Sequence, residues 1–215
     1  RSDLIKAILI NGATDLGEPN IPNPLEGWGQ INISQSLYPK YDGQDSNLHF
    51  DYSRTLMPGH SFLYTFDIST ESNLDATLVW NDGEGSVTGD QNSSRLVNDL
   101  DLRITSPTGQ VYYGNNFISG YSISGGTSDI KNNVERVKLD SLEIGTWIVE
   151  VGNSKGNAQD YSLVISAIAE ETSESDLSII PDSISSINPN PLQGDLISIN
   201  AKWSNRASLS TGTYS

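Results

Sequence analysis

The stretch Leu96-Val97-Asn98-Asp99-Leu100-Asp101-Leu102-Arg103-Ile104 decides the fold, because Leu100, Leu102 and Ile104 fall on alternate positions. Successive side chains of a β-strand point to opposite faces, so this spacing predicts a strand with one apolar face toward a core. Asp99 and Asp101 fall on the other face, about 7 Å apart by the rise of a strand. The stretch therefore predicts a half-buried strand that carries two carboxylates.

The same period of two recurs on both sides of this stretch. Turn signals such as Ser106-Pro107-Thr108-Gly109 and Gly125-Gly126 separate the alternating segments. The apolar positions of the other segments are Phe62, Tyr64, Phe66 and Ile68; Leu74, Ala76, Leu78 and Trp80; Trp147, Val149 and Val151; and Tyr161, Leu163, Ile165 and Ala167. Short strands at this spacing predict a mainly β fold, a jelly roll or β-sandwich, over residues 48–169.

Residues 1–47 precede this β region. Residues 2–12 predict a short helix with Ser2 as N-cap and Gly12 as terminator. Its apolar residues cover nearly every face, and the segment that follows, rich in Pro and Gly, offers only a further helical turn near residues 30–37. We therefore expect the neighbours of this helix to lie upstream of Arg1, and the N-terminus of the isolated chain to be exposed or unordered.

Residues 170–215 follow the β region. The acidic run at 170–175 lacks apolar periodicity and predicts a linker. Residues 176–215 predict a truncated β module with strands near 177–180 and 196–203, too few to bury a core of their own.

The charge balance limits the partners. Twelve Lys and Arg against 27 Asp and Glu give a net charge of -15, which repels nucleic acids and favours cations. The chain has no Cys, which excludes disulfides and thiolate ligands. No apolar run approaches the roughly 20 residues of a membrane span.

Five acids with only Arg95 to balance them lie between positions 81 and 101: Asp82, Glu84, Asp90, Asp99 and Asp101. Asp99 and Asp101 share a strand face, and Asp82 follows the strand that ends at Trp80. These three carboxylates are candidate ligands for calcium, which takes six to eight oxygens. A solvated outer sheet face explains the same pattern, and composition alone favours that explanation.

A second segment rich in oxygen ligands precedes another strand. Asp129, Asn132 and Glu135 are candidate calcium ligands there. An Asn-rich turn that leads into a strand is the simpler explanation on local grounds.

Catalytic machinery is not expected. A nucleophilic triad needs a histidine, and His49 and His60 both fall where we expect surface turns. We expect no Gly-x-Ser-x-Gly nucleophile elbow, and neither a His-Glu-x-x-His motif nor a phosphate-binding loop occurs.

Several motifs, in order, carry a family resemblance. Residues 4–13 and Gly27-Trp28-Gly29-Gln30-Ile31-Asn32 resemble the end of a subtilisin-like serine protease domain. The motifs after them resemble the jelly-roll domain that trails the catalytic domain in the oxidatively stable alkaline branch: Leu78-Val79-Trp80-Asn81-Asp82, residues 96–102, residues 106–109, Tyr113-Gly114-Asn115-Asn116-Phe117, Asn132-Asn133-Val134-Glu135 and Gly145-Thr146-Trp147. Residues 176–215 resemble more distantly the cell-adhesion-related repeats found behind extracellular microbial enzymes.

The resemblance implies the role of the chain. It implies a secreted parent, associated with the cell surface if the adhesion resemblance holds, that cleaves peptide or protein substrates. It also implies a jelly roll that packs on the upstream catalytic domain and binds calcium, which favours Asp82, Asp99 and Asp101 as ligands. The family's catalytic stretches are absent, so no catalytic residue is assigned. The alternative is a non-enzymatic extracellular module that binds carbohydrate or protein.

Overall fold

The computed structural model describes residues 1–17, 21–52, 54–87 and 93–168, and beyond them only the backbone of short strands. The helices are α1 (Ser2–Asn11) and α2 (Ile33–Leu37). The strands are β1 (Lys40–Tyr41), β2 (Gln44–Asp45), β3 (Asn47–Asp51), β4 (Thr55–Leu56), β5 (Ser61–Ile68), β6 (Leu74–Trp80), β7 (Asp99–Thr105), β8 (Val111–Tyr113), β9 (Phe117–Ile118), β10 (Tyr121–Ser122), β11 (Val134–Leu139), β12 (Gly145–Lys155), β13 (Gln159–Ala167), β14 (Glu170–Ser175), β15 (Ser178–Ile179), β16 (Ser185–Ser186), β17 (Ile199–Asn200) and β18 (Trp203–Ser204). The predicted mainly β fold is confirmed.

Two antiparallel sheets enclose the core. One has the order β11-β6-β13-β3, with β4 also paired to β13, and the other has the order β14-β5-β12-β7-β8. Their inward side chains form one apolar cluster that includes Trp80, Phe66, Leu102, Trp147 and Tyr161, all at most 2% exposed. The arrangement is a β-sandwich, and its inward positions include most of those that the alternating pattern predicts, with Val137 and Leu139 of β11 in addition.

The β6 strand departs from simple alternation because every one of its residues is buried. The side chains of Leu74, Ala76, Leu78 and Trp80 enter the core. Val79 belongs instead to a second apolar cluster with Ala7 and Ile10 of α1. The outer face of this sheet is therefore covered by the N-terminal helix.

The position of α1 corrects the expectation that its neighbours lie upstream. The helix packs on the sandwich of its own chain, where Val79, Val134 and Val164 receive it. Ser2 is the first helical residue rather than the N-cap, and Gly12 follows the helix as predicted. One side remains open, since Ile5 is 60% exposed.

Buried polar contacts fix α1 on the sheet. The Asn11 amide donates to Ser166 Oγ at 3.0 Å and accepts from Thr77 Oγ1 at 3.0 Å. Near the other end of the helix, Ser162 Oγ donates to Asp3 Oδ2 at 2.9 Å. These contacts join residues about 65 to 160 positions apart, which local sequence patterns do not reveal.

The backbone at residues 170–175 differs from the predicted linker. It forms β14, which pairs antiparallel with β5. Farther on, β15 pairs with β18 and β16 with β17, and the predicted β module at 176–215 otherwise lies outside the described residues. Within the described part of the chain, no helix is long and apolar enough to cross a membrane.

Candidate metal centre

The candidate site lies where the edge of one sheet meets the other. Asp99 and Asp101 lie on β7, on the face opposite Leu100 and Leu102, as predicted. Glu135 comes from β11 of the other sheet. Asp99 is 7% exposed and Glu135 is fully buried, whereas Asp82 and Asp101 are half-buried and Glu84 is exposed, so Asp99 alone of these four acids of the first cluster is withdrawn from solvent.

The Glu135 carboxylate crosses between the two sheets. Its Oε2 accepts a hydrogen bond from the Leu102 backbone N–H at 2.7 Å. Gly114 makes room for it, because a Cβ at Gly114 would lie 2.3 Å from Glu135 Oε2. Beyond the end of β8, the carboxylate thus accepts the Leu102 N–H that a neighbouring strand would otherwise accept.

Three carboxylate oxygens in this region are buried without a hydrogen-bond partner: Asp99 Oδ1, Asp101 Oδ1 and Glu135 Oε1. Each unpaired buried polar group costs about 1–3 kcal/mol, and more when it is charged. Two of these oxygens lie on β7 and the third comes from β11 of the other sheet, and oxygens of this kind are the ligands that a hard cation such as calcium prefers.

Burial and neighbouring charges raise the pKa values of two of these acids, Asp99 and Glu135. Burial, followed by the charge of Asp101, raises the pKa of Asp99 to about 6. Burial raises the pKa of Glu135 well above its usual value, against the hydrogen bond from Leu102 and with a further contribution from Asp101 and Asp129. Asp99 and Glu135 therefore resist ionisation unless a positive charge accompanies them.

The loop before β11 uses its polar atoms internally. Asp129 Oδ1 accepts from the Lys131 backbone N–H at 2.8 Å, and Oδ2 accepts from Asn132 Nδ2 at 2.6 Å and from Asn115 Nδ2 at 2.7 Å. Asn132 thus donates to Asp129 within the loop, and the negative charge of Asp129 contributes to the raised pKa values of Asp99 and Glu135.

Asp82 takes a different position from Asp99 and Asp101. It follows β6, which lies in the opposite sheet from β7. Its oxygens accept backbone N–H groups of Val97 at 2.7 Å and of Asn98 and Gly83 at 2.9 Å each. Asp82 therefore anchors the chain that enters β7, a role that the spacing of acids does not indicate.

The described residues contain no group of three or more His, Asp or Glu gathered closely enough to hold a metal ion. Asp90 lies outside the described residues. The charges of Asp101, Asp129 and Asp82 all act on Asp99, while the oxygens of Asp82 and Asp129 also accept hydrogen bonds. The unpaired oxygens, rather than a complete ligand cage, make this region a candidate metal centre.

One sequence pattern was missed. Gly152-Asn153-Ser154-Lys155-Gly156 fits Gly-x-Ser-x-Gly, the pattern of a nucleophile elbow. An elbow is a strand-to-helix turn, whereas this segment ends β12 and leads into β13. Ser154 Oγ donates to the Asp99 backbone oxygen at 3.0 Å, and within the described residues no hydrogen bond joins it to His60.

The structure places one of the two histidines in a turn, as predicted, and the other in a strand. His60 lies in the turn before β5. His49 lies within β3, where its ring meets Phe66 edge-on with centroids 5.1 Å apart. His49 is thus a strand residue rather than the turn residue expected.

Comparison with known proteins gives a partial similarity. No family model matches it. It is similar to a Dictyostelium discoideum protein named "Serine protease/ABC transporter B family protein tagA", with 30% identity over 177 residues. The match covers 76% of this chain and 10% of that protein, so the chain spans about a tenth of its relative's length. The similarity is to a small part of a protein named as a serine protease.

Proposed function

We propose that this chain is a non-catalytic C-terminal segment of a secreted subtilisin-like serine endopeptidase, in which it supports the catalytic domain and binds calcium. The similarity to a protein named as a serine protease carries the proposal. The ordered motifs from residue 4 to residue 147 support the subtilisin-like assignment, and secretion rests on the same resemblance.

Support for a catalytic domain has a physical basis in α1. The helix is fixed to the sandwich on one side by Ala7 and Asn11. Its other side lines an apolar groove of about 350 Å³ together with Trp28 and Ile31. An upstream domain that covers this groove would bury Ile5, and the sandwich would hold the helix in place against it.

Calcium binding has its basis in the unpaired oxygens of Asp99, Asp101 and Glu135. Oxygen ligands of this kind suit calcium. An ion that binds only the folded chain stabilises it by about 2.7 kcal/mol when its concentration is a hundred times the dissociation constant. Bound there, it would also offset the burial of the charge and the repulsion from Asp101, which together raise the pKa of Asp99.

Thermal melting with calcium and with excess chelator tests the metal proposal. We expect chelator to lower the melting temperature of the unchanged chain. Glu135→Gln keeps an acceptor for Leu102 but loses the charge, so its melting temperature should respond little to calcium. Glu84→Gln removes one charge from an exposed position and should respond like the unchanged chain. Equal melting temperatures with and without calcium in the unchanged chain would overturn the proposal.

The coding sequence upstream of Arg1 tests the protease proposal. A nucleophile serine motif should occur within about 20 residues before Arg1, the length that one helix and a turn occupy. A full-length product whose serine variant loses proteolytic activity would support the assignment. An upstream region without that motif would contradict it, whatever the result of the calcium experiment.

A further inference from the structure

The outer face of the sheet β14-β5-β12-β7-β8 contains a polar depression of about 210 Å³. Its floor and walls come from neighbouring strands and from the turn before β5. Its lining includes Ser61, Asp101, Arg103, Tyr113, Glu150 and Gly152. It faces away from the apolar core.

Gly152 creates the floor of the depression. It lies in β12 between two partners, paired with Ser61 on one side and with Asp101 on the other. A Cβ at Gly152 would stand only in ordinary contact with Ser61 Oγ, at 3.4 Å, so neither steric crowding nor backbone conformation requires glycine there. Because glycine has no side chain, a space remains on this sheet face between Ser61 and Asp101.

The next row across the sheet forms one wall. Arg103 of β7 is paired with Glu150 of β12 and with Tyr113 of β8. Its Nε donates to Glu150 Oε2 at 3.0 Å, and the Tyr113 hydroxyl interacts with the same guanidinium. These contacts hold three planar side chains in position before any ligand arrives.

The chemistry of the lining selects the class of ligand. The guanidinium of Arg103 and the imidazole of His60 lie in the same lining as two carboxylates, Asp101 and Glu150, so neither a strongly anionic nor a strongly cationic ligand is matched throughout. Donors, acceptors and hydroxyls lie side by side, with the Tyr113 ring among them. A neutral polyol satisfies such a mixture, because each of its hydroxyls both donates and accepts a hydrogen bond while its ring carbons pack on an aromatic face.

We propose that this depression is a carbohydrate-binding site that takes a single neutral sugar ring. Its volume is below the 300–1,000 Å³ typical of pockets for drug-sized ligands, which suits a ligand of one ring. The site uses side chains of the sheet itself and does not depend on the protease proposal. It shares Asp101 with the candidate metal centre, so the two sites are neighbours.

Saturation-transfer NMR on the full chain tests the site, with glucose, galactose, mannose and N-acetylglucosamine as separate millimolar probes. We expect transfer to at least one sugar, with a dissociation constant of about 1 mM, the range of small polar ligands. Gly152→Val should abolish transfer by filling the floor, and valine suits a strand, so folding should be retained. Arg103→Ala should weaken binding about tenfold, because it removes a charged donor.

Thr105→Val is the matched control. Thr105 lies on the same strand two positions from Arg103 and outside the depression, so binding should be unchanged. Binding should also persist in excess chelator, because protein groups hold the sugar. Absence of transfer to all four sugars would overturn the proposal, as would full binding by folded Gly152→Val. Loss of binding in chelator with the fold intact would place the sugar on the ion and overturn it as well.

Discussion

Gly114 and Glu135 form a pair that depends on the smallest side chain at one position. The Glu135 carboxylate passes over Gly114 to reach the Leu102 backbone N–H. The next residue, Asn115, completes the junction, since its Oδ1 accepts from the Arg136 N–H at 3.0 Å and its Nδ2 donates to the Val134 oxygen at 2.8 Å. These hydrogen bonds join the two sheets at one corner, mostly through residues of the motifs that resemble the jelly-roll domain.

Gly114→Ala should destabilise the fold by about 1–3 kcal/mol, because the new methyl group overlaps Glu135 and forces it to move. Chemical unfolding in urea measures the loss. Gly83→Ala is the control, since its Cβ would meet Val97 at an ordinary 3.6 Å, and it should change the free energy of unfolding little. Equal stability of the two variants would contradict the prediction, because Glu135 would then move away from the new methyl group at little cost.

Asp99 should make the calcium-free fold less stable as pH rises. Its pKa in the folded chain is about 6, raised by burial and by Asp101 from an ordinary 3.8. A raised folded pKa means that the folded state holds the proton more tightly, so the contribution is full below about pH 3.8 and is lost as pH rises through 6. In chelator, Asp99→Asn should gain stability relative to the unchanged chain between pH 4 and 7, measured by urea unfolding at each pH. A constant difference over that range would contradict the shifted pKa.

At the scale of elements, alternation predicted the strands whose one face meets the core, because burial on that face is a local property of the sequence. It did not predict β14, since Glu170–Ser175 has no apolar period and its backbone pairs with the edge of β5. The prediction that α1 packs on neighbours upstream of Arg1 was also wrong, because a helix with apolar residues on most faces does not indicate which surface covers it. At the site, the sequence identified Asp99, Asp101 and Glu135 as separate candidates, but only the pairing of β11 in the opposite sheet brings Glu135 to β7.

Asn11 tests the attachment of α1 to the sheet. Asn11→Ala leaves the buried hydroxyls of Thr77 and Ser166 without their partner and should cost about 1–3 kcal/mol. Lys6→Ala, on the exposed side of the same helix, is the control and should be close to neutral. Hydrogen exchange at Ala7–Ile10 should accelerate in Asn11→Ala and not in Lys6→Ala. Rapid exchange of these amides in the unchanged chain would contradict the docked helix.

At the scale of the whole molecule, a net charge of -15 opposes the compact state through self-repulsion. Two effects of added cations must therefore be separated. Screening acts on all the acids alike and requires no site, whereas a specific ion acts through the oxygens of Asp99, Asp101 and Glu135 that are buried without a hydrogen-bond partner. A substitution at one of these three residues, such as Asp101→Asn, changes the effect of the specific ion and leaves the screening nearly intact.

Melting with sodium chloride and with calcium distinguishes these effects. Raising the ionic strength from about 0.01 M to 0.15 M shortens the Debye length from about 30 Å to 8 Å, so sodium chloride should raise the melting temperature of the unchanged chain and of Asp101→Asn by similar amounts. Calcium added at constant ionic strength should stabilise the unchanged chain further and should have little further effect on Asp101→Asn. Glu84→Gln should behave as the unchanged chain in both series, since Glu84 is exposed. If calcium stabilised all three chains equally at constant ionic strength, its effect would come from the overall charge rather than from the buried carboxylates.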